Sequence, residues 1–156
     1  PDPPLYPSGV EQKANCLRIT PMRAKQAAAD ACPCGLPGPY AACCGRFLDG
    51  GLIPVTAEEL MRSRYVAYAQ RREEYLLRTW HPSTRPAALD LEKEAVRWLG
   101  LKVIRTRAGG AEDDTGTVEF VARYKVGGFM AHRLREESRF VREEGQWRYL
   151  DADGAV

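Results

Sequence analysis

The spacing of apolar residues predicts helices in the middle of the chain. Thr56 is a suitable N-cap residue, and two acidic residues follow in what would be the first helical turn. Apolar residues then recur every three to four positions, with a break near 71–73 and an end at Pro82. A further helical segment is predicted over 86–99, where a proline occupies the first turn. This part of the chain therefore predicts three helices.

Beyond residue 100 apolar residues alternate with polar ones, which is the period of a β-strand. Four segments follow this pattern, and glycines separate them at turns. The segments cover 101–107, 115–126, 129–144 and 146–153. Consecutive antiparallel strands after helices indicate an α+β fold, with the three helices packed on one side of a strongly curved sheet.

The chain before the first helix divides into three parts. Residues 1–31 contain turn formers and scattered charges, and we predict a disordered or poorly ordered tail. The stretch "CPCGLPGPYAACCG" occupies 32–45, and a linker with several glycines and prolines occupies 46–55. The larger domain then covers 56–156. Cys16 lies in the tail, and we assign it no role.

Charge and hydropathy limit the partners of the protein. The 156 residues include 23 Lys and Arg against 21 Asp and Glu, a net charge of +2. A nucleic-acid or membrane-surface partner would therefore need a local basic patch. No apolar run reaches the roughly 18 residues of a membrane helix, and the start of the sequence does not read as a secretory signal. We expect a cytoplasmic protein without a membrane partner, in a setting that keeps thiols reduced.

Four cysteines lie close together in sequence, at Cys32, Cys34, Cys43 and Cys44. A tetrahedral zinc ion would bring their sulfurs to roughly 3.8 Å from one another, which a Cys-x-Cys turn and a returning cysteine pair can supply. The alternatives are two crossed disulfides, which need an oxidising compartment, an iron–sulfur site, whose usual spacing differs, and a fortuitous cluster. Because four thiolates leave no open position, we expect one structural zinc ion.

The cysteine spacing resembles a known motif. "CPCG" followed eight residues later by "CCG" is similar to the SEC-C motif, the zinc knuckle at the C-terminus of the preprotein translocase SecA. The resemblance implies that all four cysteines bind one zinc ion. The loop between them, "GLPGPYAA", lacks the lysines of that family, so we expect no basic docking face here. The knuckle has no core of its own, and we expect its loss to leave the unfolding of the larger domain nearly unchanged.

The rest of the chain resembles the YchJ-like family of small bacterial proteins, in which a SEC-C knuckle precedes a domain like nuclear transport factor 2 (NTF2). The resemblance rests on "LMRSRYVAY", "YLLRTWHPSTRP", "WLGLKV" and "VEFVARY". It implies a cone, in which a strongly bent antiparallel sheet wraps three helices and leaves a pocket. Such domains serve as isomerases or dehydratases, bind ligands or contact partners, so the fold does not give the function.

The polar faces of the strands have two interpretations. Alternation places Glu119 and Arg123 on one face of a strand, Glu137 and Arg139 on one face of the next, and Asp151 on the last strand. If these faces point into the cone, the five residues form a charged cluster in the pocket. If they point to solvent, the residues form cross-strand ion pairs, as is typical of half-exposed antiparallel sheets.

Four residues of the helical part are further site candidates. Arg64 and Tyr65 lie in the middle of the first helix, where an inward arginine could hold an anion and an outward one would extend along the surface. Trp80 is a candidate for the pocket. His81 is the candidate general base, and its alternative role is a hydrogen bond to a carbonyl at the helix end.

Two hypotheses follow. In the first, the protein is a non-enzymatic, zinc-binding module whose cone binds a small ligand or a protein partner. In the second, it is an isomerase, dehydratase or hydrolase with His81 or a strand carboxylate as base. Association with nucleic acid or the ribosome is a third class, which the sequence disfavours because it shows no basic stripe with interleaved aromatic residues.

Overall fold

The computed structural model describes residues 31–91 and 95–153, so the predicted tail lies outside it except for its last residue. A 3₁₀ turn (Tyr40–Ala42) precedes the helices α1 (Gly45–Leu48), α2 (Ala57–Ala69) and α3 (Glu73–Arg78). Four strands follow: β1 (Val96–Ala108), β2 (Thr115–Val126), β3 (His132–Glu143) and β4 (Gln146–Asp153). The predicted α+β class is confirmed. Within the described ranges, no helix has the length and apolar character needed to cross a membrane.

Helix α2 begins where the sequence predicts. The hydroxyl of Thr56 accepts a hydrogen bond from the Glu59 amide at 3.1 Å, and the Glu59 carboxylate accepts one from the Val55 amide at 2.8 Å. This capping satisfies amides that have no partner within the helix. Beyond α2 the chain turns at Arg71, which has a positive φ of 59°, and continues into α3.

The helix predicted over 86–99 is wrong. In that range, residues 86–91 contain no α-helix, and residues 96–99 begin β1. The ring of Trp98 explains the difference, because its centroid lies 5.8 Å from that of Tyr65 and 5.5 Å from that of Tyr124. Such packing outweighs a helix propensity worth at most about 0.7 kcal/mol per residue. The described residues contain three α-helices, as predicted, but the third is α1 and not the helix predicted over 86–99.

The strands form one antiparallel sheet in the order β1-β2-β3-β4. Its inner face buries Phe120 and Ala122 of β2. Extra residues interrupt the pairing register at Leu99 and Ile104 in β1 and at Leu150 in β4. Bulges of this kind bend a strand and increase its twist, which explains how the sheet can curve around the helices.

One buried cluster joins the cysteine stretch to the rest of the fold. Cys34 and Cys44 are at most 2% exposed and belong to the same hydrophobic cluster as Leu60 of α2 and Phe47 of α1. Most of α1 lies within the predicted linker, 46–55, and its Phe47 and Leu48 pack against the core. The later residues Leu52, Ile53 and Val55 are exposed. The division into tail, knuckle, linker and domain stays a prediction.

Candidate metal centre and ligand cavity

The structure brings the four clustered cysteines together. The Sγ atoms of Cys32, Cys34, Cys43 and Cys44 lie within 4.8 Å of one another, and those of Cys34 and Cys43 are 3.6 Å apart. Sulfurs around a tetrahedral metal ion lie roughly 3.8 Å apart when the bonds are near 2.3 Å. The donor set and its spacing therefore fit a metal ion, and the four thiols could hold one.

Two glycines allow close backbone approach around the cysteine stretch. Gly35 has a φ of +96°, and a Cβ atom there would lie 2.9 Å from the carbonyl oxygen of Leu101 in β1. A Cβ atom on Gly45 would lie 2.7 Å from the carbonyl oxygen of Tyr40. The glycines that close "CPCG" and "CCG" are therefore required by a left-handed turn and by close backbone approach.

Neighbouring thiols lower the pKa of Cys34, so this residue carries negative charge in the cluster. The hydrogen bond from Cys44 lowers the pKa of Cys34 to about 5, although burial opposes this shift. Burial, together with the contact to Cys34, raises the pKa of Cys43 to about 11, and the hydrogen bond to Cys34 raises the pKa of Cys44. Cys43 and Cys44 thus stay protonated at neutral pH unless a cation compensates their charge, as a bound metal ion would.

Two arginines from outside the cysteine stretch approach the cluster. Arg62 of α2 donates from Nη1 to the Cys34 carbonyl at 2.8 Å, and Arg46 of α1 donates from Nε to the Cys43 carbonyl at 2.8 Å. Four thiolates around a divalent ion carry a net negative charge, which these guanidinium groups would partly compensate. Neither arginine is predicted from the sequence, although Arg46 directly follows "CCG".

A second candidate site is a cavity of about 280 Å³ between α2 and the inner face of the sheet. Its volume is close to the lower limit of about 300 Å³ for small-molecule sites. Most of its wall is apolar or aromatic, and polar groups come from Arg64, Glu136, Ser138 and Tyr149. The main aromatic and apolar wall residues are Met61, Tyr65, Tyr68, Trp98, Phe120 and Phe140.

Arg64 is a buried cation in the cavity wall, with 5% of its surface exposed. Its Nη1 donates to the Leu76 carbonyl at 2.8 Å and to the Thr79 hydroxyl at 2.7 Å. The guanidinium also lies 4.5 Å from the ring centroid of Tyr149 and 4.9 Å from that of Trp80. Burial lowers the pKa of Arg64 to about 10, so the side chain is charged at neutral pH.

Glu136 and Tyr149 are two further polar residues of the wall. Burial raises the pKa of Glu136, and no cation in the described part of the chain offsets that shift. Burial, with the nearby charge of Glu136, raises the pKa of Tyr149 to about 12. The cavity thus combines a cation, a carboxyl group and a phenol within an apolar wall.

The helical candidates divide between the cavity and its surroundings. Arg64 and Tyr65 line the cavity. Trp80 packs against Arg64 and Tyr149 and is not a wall residue. Glu136, which sequence analysis missed, could have been found from alternation, because it lies on the strand face opposite Glu137.

The charged strand candidates lie on the outer face of the sheet, and four of the five form the ion pairs of the solvent-facing interpretation. Arg123 differs, because it lies opposite Arg133. Glu119 pairs with Arg105 at 3.1 Å and with Arg135 at 2.6 Å. Strict alternation would place Tyr149 and Asp151 on the same face of β4. The bulge at Leu150 instead turns Tyr149 inward and Asp151 outward. The outer-face set is Glu119, Arg123, Glu137, Arg139 and Asp151.

His81 lies outside the cavity wall. Its Nδ1 accepts a hydrogen bond from the Ser83 amide at 3.1 Å, so Nε2 carries the ring proton and donates to Glu143 Oε2 at 3.0 Å. These contacts attach the segment after α3 to the end of β3. The predicted alternative, a side-chain hydrogen bond to a helix-end carbonyl, is replaced by this hydrogen bond to Glu143.

Fold and site together define an α+β protein in which a curved antiparallel sheet and helices enclose a cavity and carry a four-cysteine cluster. Comparison with known sequences places it further. The family described as "YchJ, middle NTF2-like domain" matches residues 56–152. The chain belongs to this YchJ-like family.

Relatives and solved structures agree with this assignment. A UPF0225 protein of Chromobacterium violaceum is 57% identical over 83% of this chain and 96% of its own length. One of Xanthomonas campestris is 55% identical over 79% of this chain and 94% of its own length. The solution structure of a SEC-C motif containing protein from Rhodopseudomonas palustris is 33% identical, with a TM-score of 0.69, over 78% of this chain and 96% of that one. A SEC-C motif containing protein from Psychrobacter arcticus, 24% identical, shares the fold with a TM-score of 0.62, over 84% of this chain and 85% of that one.

Proposed function

We propose that the protein is a non-enzymatic, zinc-binding module of the cytoplasm whose cavity binds a small ligand. The observation that supports the proposal is the presence of two candidate binding sites in one fold. Four thiols converge within 4.8 Å of one another, and a cavity of about 280 Å³ presents few polar groups in an apolar wall. The first arrangement suits a structural metal ion, and the second has the usual form of a small-molecule site.

Zinc is the metal that best suits the cysteine cluster. Thiolate ligands in a tetrahedral set select zinc or iron–sulfur chemistry, and the cysteine spacing does not follow that of ferredoxins. With four thiolates as ligands no position is open to water, so the metal would hold the chain together rather than act on a substrate. A reducing cytoplasm would keep the thiols available for it.

The cavity favours a small, largely apolar ligand with one polar group. Its volume corresponds to roughly nine waters at about 30 Å³ each, which suits a ligand of about ten non-hydrogen atoms. Arg64 and Tyr149 can orient an acceptor group, and Glu136 can orient a donor.

The wall composition supports binding rather than catalysis. No histidine or cysteine is among the residues that line the cavity, and Glu136 is its one carboxylic acid. His81 lies outside the cavity wall, where its Nε2 contacts Glu143, so Glu136 is the strand carboxylate that remains to the enzymatic hypothesis as a base. The wall therefore offers no thiol or imidazole nucleophile for covalent catalysis, and Glu136 is its one candidate for a general base.

Two measurements test the proposal separately. Elemental analysis of the purified full-length chain should find one zinc per chain, and a metal-free chain, or one that holds iron, would refute the metal assignment. For the cavity, amide chemical shifts should be followed by NMR while benzoate, benzamide or benzamidine is added. At least one probe should give saturable shifts at cavity residues such as Tyr65 and Phe140.

A filled cavity supplies the control. Ser138→Leu adds a larger side chain to the wall and should abolish the shifts, whereas Thr115→Leu adds the same side chain at an exposed position and should preserve them. Absence of saturable shifts with all three probes, or shifts that survive Ser138→Leu, would refute the ligand assignment and leave the metal result unaffected.

A further inference from the structure

The outer face of the sheet is divided into two halves of different charge. In one half, arginines are paired with acids: Glu119 binds Arg105 and Arg135, and Arg139 forms a two-pronged pair with Asp151 at 2.6 Å. In this half each of these arginines contacts an acid, as is typical of the exposed face of an antiparallel sheet.

The other half, next to the β2–β3 hairpin, carries five exposed cations, which we call the basic patch. None of them forms an ion pair with an acid in the ranges 31–91 and 95–153. The pairing register places all five on the outer face of β1, β2 and β3. The basic patch consists of Arg97, Lys102, Arg123, Lys125 and Arg133.

The basic patch works against the stability of the sheet. Arg97 lies directly opposite Lys125, and Arg123 directly opposite Arg133. Like charges at directly opposed positions destabilise a sheet. In a chain whose net charge is only +2, this concentration of cations is therefore not explained by the fold and suits an anionic partner.

A depression lies within the basic patch. Lys102, Arg123 and Arg133 line it, and Gly100 forms part of its floor. A Cβ atom on Gly100 would meet nothing within 4 Å, so the absence of a side chain here leaves open space rather than satisfying a packing need. An anionic group could therefore approach three cations at once.

An exposed aromatic residue lies at the rim of the patch. Phe129, in the turn between Lys125 and Arg133, is 73% exposed. Cations that track a phosphate backbone, together with an aromatic ring on which a base can stack, are the usual elements of single-strand binding.

We propose that the basic patch binds the phosphate backbone of single-stranded nucleic acid, with Phe129 stacking on a base. The cations extend over about 13 Å along β2 and about 10 Å across three strands, enough for a few successive phosphates. A lipid surface would suit cations grouped around the hairpin tip, but Lys102 and Arg123 lie well back along the sheet face. This function is independent of the cavity and its ligand.

Fluorescence anisotropy of a short labelled oligouridylate, with the zinc-loaded full-length chain, tests the proposal. If about three phosphates are contacted, affinity should fall roughly twenty-fold between about 50 and about 200 mM salt. The variant Arg123→Gln/Arg133→Gln should weaken binding at least about tenfold and lessen the salt dependence. The control Arg78→Gln/Arg107→Gln removes the same charge outside the patch and should keep most of the affinity. Gly100→Glu, which the open space accommodates, should weaken binding without loss of fold.

Further measurements separate the sources of binding. Phe129→Ala should weaken binding of oligouridylate more than binding of a duplex, since stacking requires an unpaired base. Co-sedimentation with vesicles of phosphatidylglycerol and phosphatidylcholine tests the lipid alternative. The proposal is overturned if wild-type protein does not bind oligouridylate, if both double variants lose affinity equally, or if only vesicles are bound. Circular dichroism should show that the patch variant is at least as stable as wild type, because a like-charge pair is removed.

Discussion

Replacing Cys43 with serine tests how far the proposed metal site supports the entire fold. Cys43 is the one partly exposed thiol of the cluster, so serine should disturb the buried core least while removing a ligand. On sequence grounds alone, loss of the knuckle should leave the larger domain nearly unchanged. The structure leads to the opposite expectation, because the cluster and α1 pack into the same buried core as α2.

The size of the effect follows from what the knuckle holds in place. Phe47 and Leu48 of α1 are 4% and 9% exposed, and burial of such side chains contributes about 1.5 to 3 kcal/mol each. If α1 detaches with the knuckle, the domain loses at least about 3 kcal/mol, a large part of a typical stability of about 5 to 15 kcal/mol. For a domain of this size, the Tm should fall by at least about 12 °C.

Tryptophan fluorescence reports on the larger domain alone, because Trp80, Trp98 and Trp147 all lie beyond the knuckle. Thermal unfolding of Cys43→Ser and of chelator-treated wild type should show the same fall in Tm, with metal content measured on each sample. Cys16→Ser, outside the cluster, is the matched control and should retain both metal and Tm. A variant that has lost its metal but keeps the wild-type fluorescence transition would refute the coupling between knuckle and domain.

Three further predictions concern single side chains. Gly35→Ala should lower stability by about 1 to 3 kcal/mol in denaturant unfolding, because φ is +96° and the new Cβ would lie 2.9 Å from the Leu101 carbonyl; an unchanged midpoint would contradict this. Arg64→Lys should also destabilise, by about 1 to 3 kcal/mol, because an ammonium group cannot both stack on Tyr149 and make the buried hydrogen bonds; full stability would argue against that role. Glu136→Gln should stabilise the protein at neutral pH. Since burial raises the folded-state pKa of Glu136 above its unfolded value of about 4.5, wild type loses stability as pH rises through that interval. The gain in stability from Gln should therefore be smaller in unfolding measured below about pH 4 than at neutral pH. An equal gain at these two pH values would exclude burial of the Glu136 carboxylate as the cause.

Local patterns of the chain determined much of the fold. The strand predicted over 115–126 coincides with β2, because strict alternation bounded by glycine-containing turns depends only on neighbouring residues. The N-terminus of α2 follows from Thr56 in the same way. The four thiols could also be recognised from sequence, since all four belong to one short loop whose turns bring them together.

Other features depended on contacts between distant residues. Helix propensity misassigned 96–99, because the partners of Trp98 in α2 and β2 are remote in sequence. Arg62 donates to the Cys34 carbonyl although the two residues are 28 positions apart in sequence, so no local motif predicts the contact.

The sequence by itself determined the α+β class, the four thiols that could hold a metal ion and the requirement that any polyanionic partner find a local basic patch. Tertiary structure alone decided which side of the sheet each charge occupies, because the bulge at Leu150 reverses the alternation and the strand register brings three separate segments side by side. Side-chain alternation is a local property, whereas register depends on the pairing of whole strands. The cavity and the basic patch therefore became visible only in the folded chain.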